Sequence, residues 1–309
     1  MGNDPTDGES PEPPSFPQDE LDALFPAQRA LSSLLLKPLP RRVYHYTAKG
    51  SGLAILRSSA VWASHIRSLP RDPDEYETGL RFVERRIVEM MANETDAYVF
   101  DLIGRWGAQW PRIKAHDRLV ACFSGARDLS SQWEEYGRGG YALAFDAATL
   151  VELTSGNNYM LTDCIYDRAA HEAITAALID DALDAYHKSI ANGFDHDAAA
   201  MNAKLLFELP ISTVMPRLKK EDLRSEAEYR LVSVIPLQGR PAPGLTHRRG
   251  KDEPIPYEPV AFRGEDGRSA LREIMIAPGV DFEAARAELR NMLDQLGYSD
   301  VEVTASALA

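Results

Sequence analysis

Apolar residues along the chain fall into short runs, broken by polar turns and by stretches of helical spacing. Leu119–Phe123 and Tyr141–Phe145 are continuous apolar or aromatic runs of strand length, and Val43–Tyr46 and Leu161–Tyr166 read as strands with polar residues inside them. Tyr229–Ile235 is the clearest strand of the C-terminal half, because it is rich in β-branched residues. Val61–Ala63, Ile274–Ala277 and Val301–Val303 read as shorter strands. Helical spacing appears at Leu80, Val83, Ile87 and Met90, behind a start signal at 72–75. There Asp72 suits the N-cap, Pro73 the first helical position, and Glu75 completes a capping-box-like pair. The same spacing predicts a helix over 168–191, through Ile174, Leu178, Leu183, Tyr186 and Ile190, and another through Phe282, Ala285, Leu289, Met292 and Leu296. Shorter helices are expected at Leu53–Arg57, after a turn over Lys49–Gly52, and at Ser130–Tyr136. The segment 204–224 shows no single period. Strands and helices alternate without a regular βαβ rhythm, so the expected fold is α+β: a mixed central sheet with peripheral helices.

Two stretches stand apart from this pattern. Residues 1–18 hold five prolines and several acids, with Phe16 as the large apolar residue. That composition buries too little surface to offset its ordering entropy, which predicts a disordered tail. An apolar helix over 20–36, with Leu21, Leu24, Leu31, Leu34 and Leu35, is expected to pack on a single domain spanning 19–309. Residues 236–256, rich in proline and glycine and containing Arg248-Arg249, read as a long loop suited to a lid.

Charge narrows the function classes. The chain has 309 residues and carries 34 Lys and Arg against 47 Asp and Glu, a net charge of −13. That balance argues against non-specific nucleic-acid binding, where a basic surface supplies most of the affinity. No apolar run approaches the ~20 residues of a membrane span. The opening MGNDPTDGES has no apolar core, so no secretory signal is read there, and a cytoplasmic protein without membrane contact is the expectation. Cys122 and Cys164 are too few for a disulfide framework, and both read as small buried residues.

Phosphate-loop, dinucleotide, zincin and nucleophile-elbow motifs are all absent, and the seven histidines are scattered, so no metal is expected. Three features carry candidate chemistry. Tyr44-His45-Tyr46-Thr47 places a histidine inside an early strand between aromatics; from spacing alone, a core histidine satisfied by its neighbours is the favoured reading. Cys122-Phe123-Ser124, followed by Trp133 and Tyr136 three residues apart, can form an aromatic wall, or ordinary core. Glu226 and Glu228 stand at the mouth of an apolar strand. Two carboxylates on one face can raise one pKa and make a general base; alternatively Arg230 partners Glu228 at a charged strand edge.

These pieces, in this order, resemble the bacterial family called domain of unknown function 2971. The matching stretches are Tyr44–Thr47, Leu69–Glu75, Phe123–Phe145 and Lys219–Val232, and the resemblance runs from about residue 40 to the C-terminus. Pro70-Arg71 stand where that family's pattern has Asn, and its GxG turn is shifted to Gly137–Gly140. More distantly, the pattern is similar to the ADP-ribosyltransferase fold of the poly-ADP-ribose polymerase (H-Y-E) type. That resemblance implies a split sheet and an NAD-consuming enzyme, either an ADP-ribosyltransferase or an NAD glycohydrolase. It implies His45, Tyr136 and Glu228 as catalytic residues, with Tyr46, Thr47, Ser124, Trp133 and Arg230 around the nucleotide, and NAD as substrate without a metal. The acceptor is not legible. Two other classes stay open: a non-catalytic module binding a nucleotide or protein, and a hydrolase holding a divalent ion on Asp72, Glu75, Glu226 and Glu228.

Overall fold

The computed structural model describes residues 38–69, 75–114, 118–234, 246–248 and 254–308. The expected tail, the helix over 20–36, the cap at Asp72 and most of 236–256 lie outside these residues.

The apolar runs become strands. β1 (Arg42–Thr47), β2 (Ala60–His65) and β3 (Leu119–Ser124) form the middle of a ten-stranded open sheet with β4 (Tyr141–Asp146) and β6 (Glu228–Ser233). β5 (Tyr159–Asp163) extends it beyond β6. β9 (Leu271–Ile276) and β10 (Glu302–Ala305) extend it beyond β4, and β8 (Ile255–Ala261) and β7 (Thr246–Arg248) extend it beyond β2. Pairing is antiparallel except for β9 with β10, so the sheet is mixed and the fold is α+β. β7 and β8 replace part of the expected 236–256 loop with a paired edge; Pro256 faces His247 and Pro259 faces Trp62 within it.

The register shows where the sheet splits. β3 runs its full length beside β6, from Val120↔Val232 to Ser124↔Glu228. On its other edge β3 is shared. Its C-terminal end meets β1 at Tyr44↔Ser124, and its N-terminal end meets β2 at Ser64↔Val120 and His65↔Leu119. Across residues 121–123 the two neighbours diverge, β1 toward β4 and β2 toward β8. A cleft opens between them.

Side-chain alternation sorts the strands onto two faces, and the buried residues form three clusters. Val120 and Val232 face a helical layer, while Ala121, Phe123 and Leu231 face the other side. The helical layer is α2 (Glu75–Asn93), α3 (Ala97–Lys114), α5 (Arg168–Ala191) and α6 (His196–Val214). The second face is covered by α1 (Lys49–Ser58), α4 (Ala147–Ser155) and α7 (Phe282–Leu296). α1 begins at Lys49, so Gly50 and Gly52 lie within its first turns rather than in a preceding loop. α5, α6 and α7 start at the N-caps Asp167, Asp195 and Asp281, whose carboxylates accept from the N–H three residues on. α6 replaces much of the featureless 204–224 segment. Pro210 removes a backbone donor inside it, yet Ala199, Ala203, Phe207 and Ile211 are fully buried on one face, and the Phe207 ring stacks on Trp106 at 4.5 Å. That burial outweighs the proline penalty.

On α5, Asp181 is buried beside Asp180 and Asp184. Burial first, then those neighbouring carboxylates, pushes its pKa up to about 6. A raised acid pKa gives stability that is present below the ordinary value and lost as pH rises through the folded one. Asp181→Asn is therefore expected to raise the melting temperature near about pH 8 and to change it little near about pH 4, by thermal unfolding at both.

Candidate functional site: a cleft where the sheet splits

The cleft is a cavity of about 350 Å³. β1 supplies His45, Tyr46 and Thr47, β3 supplies Ala121 to Phe123, and β6 supplies Glu228 and Arg230. Trp62 on β2 and Tyr136 close the sides. The cavity is thus mostly apolar and aromatic with a few convergent polar groups, the usual makeup of a small-molecule site.

His45 explains how the split is held. Where β1 leaves β3, the Cys122 carbonyl accepts from His45 Nδ1 at 2.8 Å. An imidazole bond stands where a strand ladder would continue. Because a carbonyl only accepts, the proton sits on Nδ1, and in the neutral ring Nε2 is the acceptor nitrogen. The ring also tilts against Phe123, centroids 5.7 Å apart.

Glu228 forms the polar end. It is buried, and its N–H donates to the Tyr166 hydroxyl at 2.8 Å. Arg230 Nε donates to Oε1 at 2.8 Å and Nη2 to Oε2 at 3.1 Å. Lys219 Nζ bridges Glu228 and Glu226, and Lys219 and Glu226 are buried with it. Burial works against ionisation of Glu228, but the charges of Arg230 and Lys219 outweigh it and hold the carboxyl well below the usual range. The expectation of a raised carboxylate pKa is therefore corrected: two cations, not a second bare carboxylate, set the field. Burial and the Glu228 charge push the Cys122 thiol up, so it stays protonated beside Glu228. Burial, then Glu226, pushes the Tyr136 phenol up as well.

Six of the eight residues singled out from sequence line this cavity: His45, Tyr46, Thr47, Tyr136, Glu228 and Arg230. Ser124 and Trp133 do not. Ser124 is buried, and its hydroxyl donates to the Glu226 carbonyl at 2.8 Å. Trp133 is buried against Tyr46, edge to face at 4.9 Å, and its indole N–H donates to Asp128 at 2.7 Å. The expected aromatic wall fails at Trp133 because Trp133–Gly137 winds as a π-helical turn, which does not align positions three apart as an α-helix does. Lys219 is a chemical group that sequence reasoning gave no role, and Cys122 was read there as a small buried residue beside an aromatic wall. Lys219 opens the stretch Lys219–Val232, and its distance in sequence from Glu226 and Glu228 was the available signal.

At the rim, α1 begins directly after β1. Its N-cap, Ala48, offers no side-chain acceptor to the first-turn N–H groups, and Ala48 and Ser51 line the cavity. Gly140 touches the same place. A Cβ there would lie 2.2 Å from the Thr47 carbonyl oxygen and 2.7 Å from the Lys49 nitrogen, all backbone. Gly140→Ala is expected to cost about 1–3 kcal/mol or more, measured by urea unfolding, because β1 must shift to admit one methyl.

Asp72 lies outside the described residues, and Glu226 and Glu228 turn their oxygens to Lys219. Among the described residues no group of three His, Cys, Asp or Glu side chains is placed to hold a metal ion, and no helix is long and apolar enough to cross a membrane.

This is an open mixed α+β sheet with an aromatic cleft at its split. Residues 132–231 match the family model described as a protein of unknown function (DUF2971). The matched span holds Tyr136, Lys219, Glu228 and Arg230, and it stops short of β1 and His45. No curated protein and no solved structure matches the chain.

Proposed function

We propose that the cleft binds NAD and that the protein consumes it, by ADP-ribosyl transfer or by hydrolysis. One observation carries this reading. Three laterally adjacent strands, β1, β3 and β6, bring His45, Cys122 and Glu228 to one cleft, with Tyr44, Ser124 and Glu228 in direct register. The resemblance to ADP-ribosyltransferases implies a histidine on an early strand, a tyrosine in a second motif and a glutamate opening a late strand, and His45, Tyr136 and Glu228 all line this cleft.

The chemistry needs few groups. The bond between the ribose C1′ and the nicotinamide nitrogen breaks, its electrons neutralise the pyridinium, and the oxocarbenium-like centre that develops is captured at C1′ by water or an acceptor's nucleophile, which releases its proton to solvent. No proton need be given to the leaving group. Glu228, held ionised, accepts from the ribose 2′-hydroxyl and lies near the developing charge. His45 hydrogen-bonds the second ribose, supported by Thr47. Tyr136 stacks on the nicotinamide ring. The first-turn N–H groups of α1 suit the pyrophosphate, which favours a helix N-terminus.

A second reading has its own support. Lys219 and Arg230 engage both oxygens of Glu228, so much of its charge is already offset. A module that binds a nucleotide without turning it over fits that pairing. Calorimetry with NAD tests the site itself. Saturable heat is expected, weakened about tenfold or more in His45→Ala through the lost hydrogen bonds. Absence of NAD binding to the folded wild-type protein would overturn both readings as nucleotide sites.

A further inference from the structure

The cleft wall that carries Gln132, Glu135 and Tyr136 is held from behind by Asp128 and Trp133, which do not line the cavity, and by Tyr46, which does. β3 ends at Ser124, and residues 125–129 cross from it to the wall. In that crossing Asp128 adopts φ 61, the left-handed region that aspartate enters more readily than most non-glycine residues. Its carboxylate takes three donors. The Trp133 indole N–H reaches Oδ1 at 2.7 Å, the Ser306 hydroxyl reaches the same oxygen at 2.6 Å, and the Ala307 N–H reaches Oδ2 at 2.6 Å. Trp133 in turn packs on Tyr46, whose hydroxyl accepts from Leu129 N–H at 2.9 Å and donates to the Ala126 carbonyl at 3.2 Å. A second tie runs alongside: Arg127 and Thr304 both donate to Glu273 Oε1, at 2.8 and 2.7 Å.

We infer that Asp128 is the positioning residue of the cleft wall, and that Thr304–Ala307 is a strap through which the C-terminal strand fixes Tyr136. All three groups on Asp128 are donors, so only a carboxylate satisfies them together. The strap touches the crossing and never the cavity, so its effect on the cleft passes through the crossing, chiefly by Asp128 and Trp133 and in parallel by Glu273 and Arg127. The inference is independent of which ligand the cleft takes.

Hydrogen exchange on the full chain tests it, with Asp128→Asn, Ser306→Ala and Ser306→Thr beside wild type. Amides over 126–137 are expected to exchange about tenfold or more faster in Asp128→Asn, because an amide group turns one donor–acceptor contact into a clash. Ser306→Ala should show a smaller rise in the same segment, and Ser306→Thr, which keeps the hydroxyl, should restore wild-type exchange. α5 should stay unchanged throughout. NAD affinity by calorimetry should fall in step with exchange; if wild type binds no NAD, the exchange pattern alone decides. If Asp128→Asn does not fold, Ser306→Ala against Ser306→Thr decides by the same comparison. Unchanged exchange over 126–137, or an equal rise across α5, would overturn the assignment.

Discussion

Glu228→Gln is expected to lower NAD turnover by about 10²-fold or more, and to lower stability by roughly 3–5 kcal/mol at neutral pH. The two effects have one cause. Glu228 is the anion against which buried Arg230 and Lys219 are neutralised. An amide keeps the shape but not the charge. Lys219 would keep Glu226, and Arg230 the Pro216 carbonyl, leaving one buried positive charge in excess. Under the NAD-consuming reading, the same change removes the carboxylate that accepts from the ribose. Turnover must therefore be compared per folded molecule, with urea unfolding run on the same preparation. Full turnover in a folded Glu228→Gln protein would remove Glu228 from the chemistry while leaving its structural role intact.

Stability is expected to fall steeply as pH drops below about 4.5, and to fall less steeply in Glu228→Gln. Glu228, Glu273 and Asp128 all have carboxyl pKa values held below their ordinary 4.5, 4.5 and 3.8. In each, burial opposes ionisation and is outweighed: by Arg230 and Lys219 at Glu228, by bonds from Arg127 and Thr304 at Glu273, and by bonds from Ser306 and Trp133 at Asp128. A depressed carboxyl pKa gives stability that is present above the unfolded value and lost as pH falls through the folded one. Denaturant unfolding across the acid range measures the slope. A flat profile there would mean that these carboxylates are no more ionised folded than unfolded. Asp181, pushed to about 6, acts in the opposite sense and confines the stability maximum from the alkaline side.

Much of the fold was legible because its signals are local. β1, β3, β4 and β6 contain the apolar, aromatic or β-branched stretches read as strands, and α5 and α7 carry the helical period. Arg230 as the partner of Glu228 was readable from their spacing on one strand. A split sheet was implied by resemblance alone and no local pattern placed it, because it depends on how β3 shares one edge between β1 and β2, which are distant from it in sequence. Lys219 was missed for a related reason. It is placed by the bridge between Ile165 and Leu218, where Lys219 N–H donates to the Ile165 carbonyl at 2.9 Å, more than fifty positions away in the chain. Trp133 misled because its spacing from Tyr136 fits an α-helix, while the chain there winds as a π-helix. α3 went unassigned because Gly104, Gly107 and Pro111 interrupt a segment that tertiary burial of Leu102, Ile103, Trp106 and Trp110 holds helical.

The central claim is that a cleft built from His45, Tyr136 and Glu228 consumes NAD. The measurement that bears on it most directly is nicotinamide release from NAD by the purified full chain, beside His45→Ala, which removes no member of the buried charge cluster. Release above the spontaneous rate, lost in a folded His45→Ala protein, is the predicted result. No release, with no NAD bound in calorimetry, would contradict the account.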